Sequence, residues 1–202
     1  MQLYYSPGAC SLASHIALKE TGLPFEAVKV DIRAKKIANG EDYLQVTPKG
    51  YVPALRLDDG QVLTEGAAIL PYIGDRAPAS GLAPAAGTLE RYRVHEWLGY
   101  ISSELHKNFG PFFAPGVGDD AKAAAKVNLG RRFTFVQQAL ENREFLVSER
   151  FTVADAYLFT VLGWTRVVGI DLGEWPVLKA WHAKIAQRPA VQAAMRAEGL
   201  IK

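Results

Sequence analysis

Only one cysteine, Cys10, occurs in the 202 residues, which excludes an internal disulfide and a dithiol redox centre. A single free thiol suits a reducing compartment. No run of residues approaches the roughly 20 apolar positions that cross a membrane, and the start lacks the charged and apolar regions of a secretory leader. We therefore expect a cytoplasmic protein with no membrane partner.

An excess of charge of either sign is absent too. The 23 Lys and Arg residues nearly balance 21 Asp and Glu residues, the net charge is +2, and no dense basic run favours nucleic acid. The four histidines lack the spacing of a metal site, and no Gly-rich phosphate loop, G-x-S-x-G or H-E-x-x-H motif occurs. We expect a globular protein that binds neither nucleic acid nor metal.

The pattern of the chain changes near residue 77. Residues 1–77 alternate short strands and helices, residues 78–87 are rich in Pro, Gly, Ala and Ser and are typical of a linker, and residues 88–202 read as successive helices. The first part has the order βαβ, a loop with room for a short helix, then ββα, which is the thioredoxin-type arrangement. We predict an α+β thioredoxin-like domain, a linker and an all-α domain.

Local signals place the elements of the first domain. The pattern predicts a strand over 2–5, a helix from Cys10 that ends at a left-handed Gly22, and a strand over 25–30. Asp59-Gly60 between two apolar alternations predicts a hairpin of residues 54–57 and 62–64, followed by a helix from Glu65. The first two strands should pair in parallel and the hairpin should add an antiparallel edge.

The second domain begins with a predicted helix over 88–109. Its apolar stripe at helical spacing is formed by Leu98, Ile101, Leu105 and Phe109. A helix over 119–140 follows, and then an apolar helix that ends near residue 168. Thr152 and Asp155 have the spacing of a capping box at its start. Pro176 and Pro189 open two further helices.

Cys10 lies where the first strand turns into the first helix. A helix N-terminus carries unpaired N–H groups and partial positive charge, so a thiol there would have a lowered pKa. The alternative is an inert, small apolar residue, because free cysteines are often buried.

Two further segments offer backbone groups to a ligand. A cis Val52-Pro53 bond would turn the Val52 N–H and C=O outward to pair with an extended peptide. The alternative is an ordinary turn with a trans bond, which is by far the more frequent form before proline. Glu65-Gly66 opens a helix that suits the carboxylate and ammonium of an amino acid, although a first-turn Glu also simply complements the helix dipole. On the long helix, Gly99, Ser103 and His106 share a small polar face, which fits the wall of a cleft but also an ordinary surface.

Together these features resemble the cytosolic glutathione S-transferases. The resemblance rests on Cys10 at the strand–helix turn, Val52-Pro53, Glu65-Gly66 and the Thr152-Val153-Ala154-Asp155 segment. Tyr-Ser-Pro-Gly-Ala-Cys at the start and Ser-Ser-Glu-Leu-His-Lys around His106 resemble the bacterial beta class. The resemblance covers the whole chain and implies a homodimeric enzyme that conjugates glutathione to small hydrophobic electrophiles in detoxification, with dehalogenation of chlorinated aromatics as one such reaction.

The resemblance also implies roles for individual residues. Cys10 would lie near the glutathione sulfur, with Tyr5, Ser11 and His106 as further candidates for activating it. The other glutathione contacts would come from Lys35, Val52, Pro53, Glu65, Gly66, Ser103 and Lys107. Phe109, Phe112, Phe113, Tyr157 and Trp164 are candidates for the wall against the electrophile. Gly66 departs from the usual Ser or Thr, which removes a hydroxyl hydrogen bond worth roughly 1 kcal/mol, and Gly99 replaces a polar side chain.

Two other functions remain open at this point. One is glutathione-dependent thiol–disulfide exchange, in which Cys10 forms a mixed disulfide that a second glutathione resolves. The other is a non-catalytic binding protein of the same fold, which would not need the set Val52, Pro53 and Glu65. A maleyl-acid isomerase would be expected to carry a Ser-Ser-Cys turn, which this sequence lacks.

Overall fold

The computed structural model describes residues 1–202, and its N-terminal part is built on a five-stranded sheet. The strands are β1 (Gln2–Tyr5), β2 (Glu26–Asp31), β3 (Lys36–Ile37), β4 (Ala54–Arg56) and β5 (Val62–Thr64). Their order in the sheet is β3-β2-β1-β4-β5. β1 pairs in parallel with β2, and the other neighbours are antiparallel. The parallel βαβ unit and the hairpin are therefore confirmed.

The edge strand β3 was not expected from the sequence. It has two residues and pairs with β2 through Ile37 opposite Val30. So short an edge strand contains no apolar alternation that could reveal it. The short helix in the same loop is a single 3₁₀ turn, Tyr43–Gln45, which the Asp42 side chain caps by accepting the Leu44 N–H.

Eight α-helices complete the fold. They are α1 (Ser11–Thr21), α2 (Gly66–Arg76), α3 (Leu89–Tyr100), α4 (Gly110–Phe113), α5 (Asp119–Leu140), α6 (Val153–Val167), α7 (Pro176–Ile185) and α8 (Pro189–Ala197). α1 ends at Gly22 with φ of 68°, as predicted, because glycine enters the left-handed region without a Cβ clash. The thioredoxin-like domain followed by helices is confirmed.

The long helix predicted over 88–109 is interrupted in its hydrogen bonding. α3 ends at Tyr100, and Ile101–Leu105 forms a wider, π-type turn in which the His106 N–H reaches the Ile101 carbonyl. A 3₁₀ turn, His106–Phe109, follows. The prediction of one regular helix over residues 88–109 was therefore wrong. The predicted apolar stripe is nevertheless fully buried. Its spacing in the sequence fits both a regular α-helix and a helix interrupted by a π-type turn, so the sequence could not distinguish the two.

The helix α1 joins the two parts of the molecule. It packs against α2 on the sheet side and against α6 and α8 of the helical part. One continuous cluster of buried apolar side chains runs from Leu3 and Ile16 to Leu158 and Leu162. The opposite face of the sheet holds a small second cluster with Tyr43 and Val52. No helix combines the length and the apolar character that crossing a membrane requires.

The capping box at the start of α6 forms as predicted. The Asp155 carboxylate accepts the Leu146 N–H, the Thr152 N–H and the Thr152 hydroxyl, each over 2.9 Å. Complete burial raises the pKa of Asp155 to about 6, and these three donors oppose the rise. The box fixes the entry of the most buried helix of the protein, whose Tyr157 and Trp164 face the N-terminal domain.

Candidate functional site

Cys10 caps the N-terminus of α1 but makes no capping hydrogen bond. Its Sγ donates instead to the Val52 carbonyl oxygen over 3.1 Å. Burial raises the pKa of the Cys10 thiol to about 12, with a smaller rise from the Glu65 charge, although the Cys10 and Ser11 N–H groups favour the thiolate. The lowered pKa expected from the helix position is therefore wrong, because desolvation outweighs the helix end. The thiol is protonated at neutral pH.

The segment beside Cys10 presents a free stretch of backbone. The Val52-Pro53 peptide bond is cis, not the trans turn that base rates favoured. The Val52 carbonyl oxygen accepts only the Cys10 thiol, and the Val52 N–H has no partner within the chain. The Tyr43 hydroxyl donates to the Tyr51 carbonyl oxygen over 2.8 Å and holds this loop in place. Backbone groups of this kind can pair with an extended peptide.

Glu65 and Gly66 mark the start of α2. Glu65 has φ of 70°, and its exposed carboxylate forms an ion pair with Lys49 over 2.7 Å. Lys49 also donates to the Thr64 hydroxyl over 3.0 Å. The Gly66 N–H has no partner within the chain, as is usual in the first turn of a helix. The site thus combines an acidic side chain with a free N–H, and Lys49 is a member that sequence reasoning missed.

Lys35 reaches the same loop from the other side. Its backbone has φ of 55°, and its ammonium donates to the Gly50 carbonyl oxygen over 2.8 Å. The ammonium also lies 5.4 Å from the centre of the Tyr51 ring. A cation therefore stands at the end of the Val52 backbone.

His106 comes from the helical part and contacts Tyr157 and Trp164. Its Nδ1 lies 2.7 Å from the Tyr157 hydroxyl, and its ring packs edge-on against Trp164 at 4.7 Å. Burial, with the charge of Lys107, lowers the pKa of His106 to about 4. Burial raises the pKa of Tyr157, and the Cys10 charge adds to that rise, which indicates that Cys10 and Tyr157 are close.

The remaining candidates from the helical part lie at the rim. Ser103 is exposed, and its hydroxyl donates to the Gly99 carbonyl oxygen over 3.1 Å. Lys107 is also exposed. These two side chains lie on the turns that carry His106, and neither makes a hydrogen bond to Cys10 or Val52.

No side-chain hydrogen bond links Tyr5 or Ser11 to Cys10. Ser11 is fully buried, and its hydroxyl accepts the Ser6 N–H and donates to the Ser6 carbonyl oxygen. The Tyr5 ring belongs to the main core and packs edge-on against His15 at 5.6 Å. The Ser11 hydroxyl therefore stabilises the strand-to-helix turn, and the Tyr5 ring is part of the core.

The aromatic wall is only partly as expected. The Trp164 indole N–H donates to the Gly8 carbonyl oxygen over 2.8 Å, which ties α6 to the loop before Cys10. Phe109 is fully buried beneath Trp164 and belongs to the core, so its expected place in the wall is wrong. Phe113, 5.8 Å from Trp164, is 49% exposed and remains available, and Phe112 is partly buried. Trp164 is itself buried, with 8% of its surface exposed, so Phe113 is the exposed member of this aromatic group.

Comparison with known proteins gives the family of this arrangement. The family model for the glutathione S-transferase N-terminal domain matches residues 8–76, and that for the C-terminal domain matches residues 100–189. Glutathione S-transferase GstA of Escherichia coli O157:H7 is 46% identical, over 99% of this chain and 100% of GstA.

Two solved structures agree with this result. A sphingomonad glutathione S-transferase complexed with glutathione is 54% identical, with a TM-score of 0.96 and full coverage of both chains. A bacterial beta class glutathione S-transferase from Sphingomonas chungbukensis is 51% identical, with a TM-score of 0.97 and full coverage of both chains. The chain therefore belongs to the glutathione S-transferase family and, within it, to the bacterial beta class.

Proposed function

We propose that this protein binds glutathione along the Val52 backbone and transfers its thiolate to small hydrophobic electrophiles. The observation that carries the proposal is the free N–H of Val52, the residue whose carbonyl oxygen accepts the Cys10 thiol. An extended tripeptide that pairs with Val52 brings its central cysteinyl sulfur to Cys10.

The Glu65–Gly66 start of α2 suits the γ-glutamyl end. The ligand carboxylate accepts the free Gly66 N–H at the positive end of the helix. The ligand ammonium takes the place of Lys49 on the Glu65 carboxylate, an exchange of one cation for another at an exposed pair. Lys35 receives the glycyl carboxylate at the opposite end of the peptide.

The sulfur is activated by hydrogen bonding. Free glutathione has a thiol pKa near that of cysteine, about 8.5, so only a small fraction is thiolate at neutral pH. The Cys10 thiol, which its raised pKa keeps protonated, donates to the glutathione sulfur in place of the Val52 carbonyl. This donor and the N-terminus of α1 favour the thiolate. The proton of the glutathione thiol passes to solvent.

The helical part holds the electrophile. Phe113 gives the cleft an exposed aromatic surface that packs on the buried Trp164, and His106, Ser103 and Lys107 supply its polar edge. With a chlorinated aromatic, the thiolate forms the S–C bond, the C–Cl bond breaks, and chloride leaves with the electron pair. The same surface suits other small electrophiles with a flat apolar face.

Thiol–disulfide exchange through Cys10 is the second candidate function. It requires a Cys10 thiolate, which burial opposes. A non-catalytic role is the third, and it predicts glutathione binding without turnover or no binding at all.

The deciding experiment measures binding and turnover together. Isothermal titration with reduced glutathione is expected to give micromolar to low-millimolar affinity, weakened at least tenfold by Glu65→Ala. Conjugation to 1-chloro-2,4-dinitrobenzene tests transfer, and Cys10→Ala is expected to lower disulfide exchange more than conjugation. Binding without conjugation would favour the binding-protein alternative, and no binding would overturn the proposal.

We extend the proposal to a homodimer. Leu89 and Tyr92 on α3 are 67% and 63% exposed, so this helix presents large apolar side chains that a second copy would cover. Light scattering coupled to gel filtration is expected to give twice the chain mass of 22.1 kDa. A monomer at micromolar concentration would contradict this.

A further inference from the structure

His106 is held on one side by a single polar group and on another by an indole ring. Its Nδ1 lies 2.7 Å from the Tyr157 hydroxyl, the two rings meet edge-on at 86°, and Trp164 packs against the imidazole at 4.7 Å. Ring rotation would break both contacts. The orientation of the imidazole is therefore fixed before any ligand arrives.

The imidazole is neutral at physiological pH. Burial, together with the charge of Lys107, lowers the pKa of His106 to about 4, and the charge of Glu65 opposes the change. A neutral imidazole carries one N–H, on Nδ1 or on Nε2, and the hydrogen bond made by one nitrogen decides the state of the other.

Tyr157 decides which nitrogen carries the proton. Burial raises the pKa of Tyr157, so the phenol keeps its proton. A phenol is a stronger donor than an imidazole N–H, and an imidazole nitrogen is a stronger acceptor than a phenol oxygen. The hydrogen bond therefore runs from the Tyr157 hydroxyl to Nδ1.

The other nitrogen of His106 is free. Nε2 has no hydrogen-bond partner within the chain and is not among the buried unpaired atoms. We propose that Tyr157 is a positioning residue that holds neutral His106 as the Nε2–H tautomer, so that His106 gives the cleft a hydrogen-bond donor and not a general base. The inference rests on the proposed function, since the donor serves the glutathione sulfur or the departing anion.

The tautomer is measured directly by nuclear magnetic resonance. Long-range nitrogen–proton spectra of the labelled protein at pH 7.5 are expected to show His106 with a bare Nδ1 and a protonated Nε2. Tyr157→Phe keeps the ring but removes the hydroxyl, and is expected to give a mixture of both tautomers. A protonated Nδ1 in the unsubstituted protein would overturn the proposal.

His182 provides the internal control in the same spectra. Its Nε2 lies 3.2 Å from the Phe159 carbonyl oxygen, so it is also protonated at Nε2 and does not contact Tyr157. Its signals should be unchanged by Tyr157→Phe. Equal shifts at His106 and His182 would mean a general loosening of the helical part and would overturn the specific role of Tyr157.

Kinetics gives the second readout. Tyr157→Phe is expected to lower kcat for conjugation three- to tenfold while the glutathione Kd changes less than twofold. At His106, Gln places an N–H where Nε2 stands and Asn does not, so His106→Gln should retain at least fivefold more activity than His106→Asn. Equal loss in both would contradict a donor role.

The outcomes separate the two proposals. The tautomer spectrum is taken on the ligand-free protein and does not need glutathione to bind. If the spectrum is as expected but no glutathione binds, the proposed function fails and the tautomer assignment stands. If glutathione is conjugated and the spectrum shows a protonated Nδ1, only the assignment fails.

Discussion

The indole N–H of Trp164 donates to the carbonyl oxygen of Gly8 over 2.8 Å, across 156 positions of sequence. The bond joins α6 to the loop that leads into Cys10. Trp164 also packs against His106, so one side chain contacts both walls of the cleft. The relative placement of Cys10 and His106 depends on it.

Replacing Trp164 by Phe should loosen this connection. The Gly8 carbonyl loses its donor, and the free energy of unfolding should fall by about 1 kcal/mol. The glutathione Kd should rise about threefold to tenfold, measured by titration calorimetry. Trp175→Phe is the matched control, because it removes an indole bond to Thr134 far from Cys10. Equal changes in Kd for both variants would contradict the role of Trp164.

Replacing Gly66 by Ser should strengthen glutathione binding. A Cβ at this position meets nothing within 4 Å, so the side chain fits without rearrangement. The new hydroxyl can bond the γ-glutamyl carboxylate and contribute about 1 kcal/mol, or roughly a fivefold lower Kd. Gly66→Ala separates the hydroxyl from the effect of helix propensity. An unchanged Kd in the Ser variant would show that no carboxylate lies at this helix start.

The alkylation of Cys10 should reveal a weakly acidic thiol. With a pKa of about 12, the thiolate fraction at pH 7 is on the order of 10⁻⁵. The rate with iodoacetamide should rise about tenfold for each pH unit between 7 and 10, without a plateau. Cys10 is the only cysteine, so total labelling by mass spectrometry reports this site alone. A plateau below pH 9 would refute the burial argument.

Replacing Asp155 by Ala should be the most destabilising of these changes. It leaves the buried Leu146 and Thr152 N–H groups without a partner, which costs about 2–5 kcal/mol in urea unfolding. The folded-state pKa of about 6 lies above the ordinary value of 3.8 for this carboxyl group, so the folded protein binds this proton more readily than the unfolded chain. The difference in the free energy of unfolding between the unsubstituted protein and the Asp155→Ala variant should therefore grow as the pH falls from 7 to 5. A difference that shrinks would contradict the raised pKa.

Local patterns were sufficient for most of the fold. Gly22, Asp59-Gly60, the Thr152–Asp155 box and Pro176 act through their own backbone neighbours, so their effects are readable from adjacent residues. The sequence did not reveal β3 or the wide turn after Tyr100. The first is too short for a periodic signal, and the second buries the same stripe as a regular helix.

The candidate site was less predictable because its properties depend on distant residues. The thiol of Cys10 is partly buried, bonded to the Val52 carbonyl oxygen and affected by the charge of Glu65, so a rule about helix ends could not give its pKa. The bond between His106 and Tyr157 spans 51 positions and leaves no local mark. Lys49 lies three residues before Val52, and this closeness in sequence could have suggested it as a site residue. Its ion-pair partner Glu65, however, comes from another element.

The wide turn at Ile101–Leu105 also determines the angular phase of the helix that follows. A π-type turn contains about one residue more than an α-turn, and each residue rotates the side-chain direction by about 100°. If the same five residues were wound as a regular α-helix, the direction of His106 would change by roughly 100°, away from Tyr157, although every side chain of the pair would still be present. The geometry of the cleft is thus encoded in the winding of this turn as well as in the identity of its side chains.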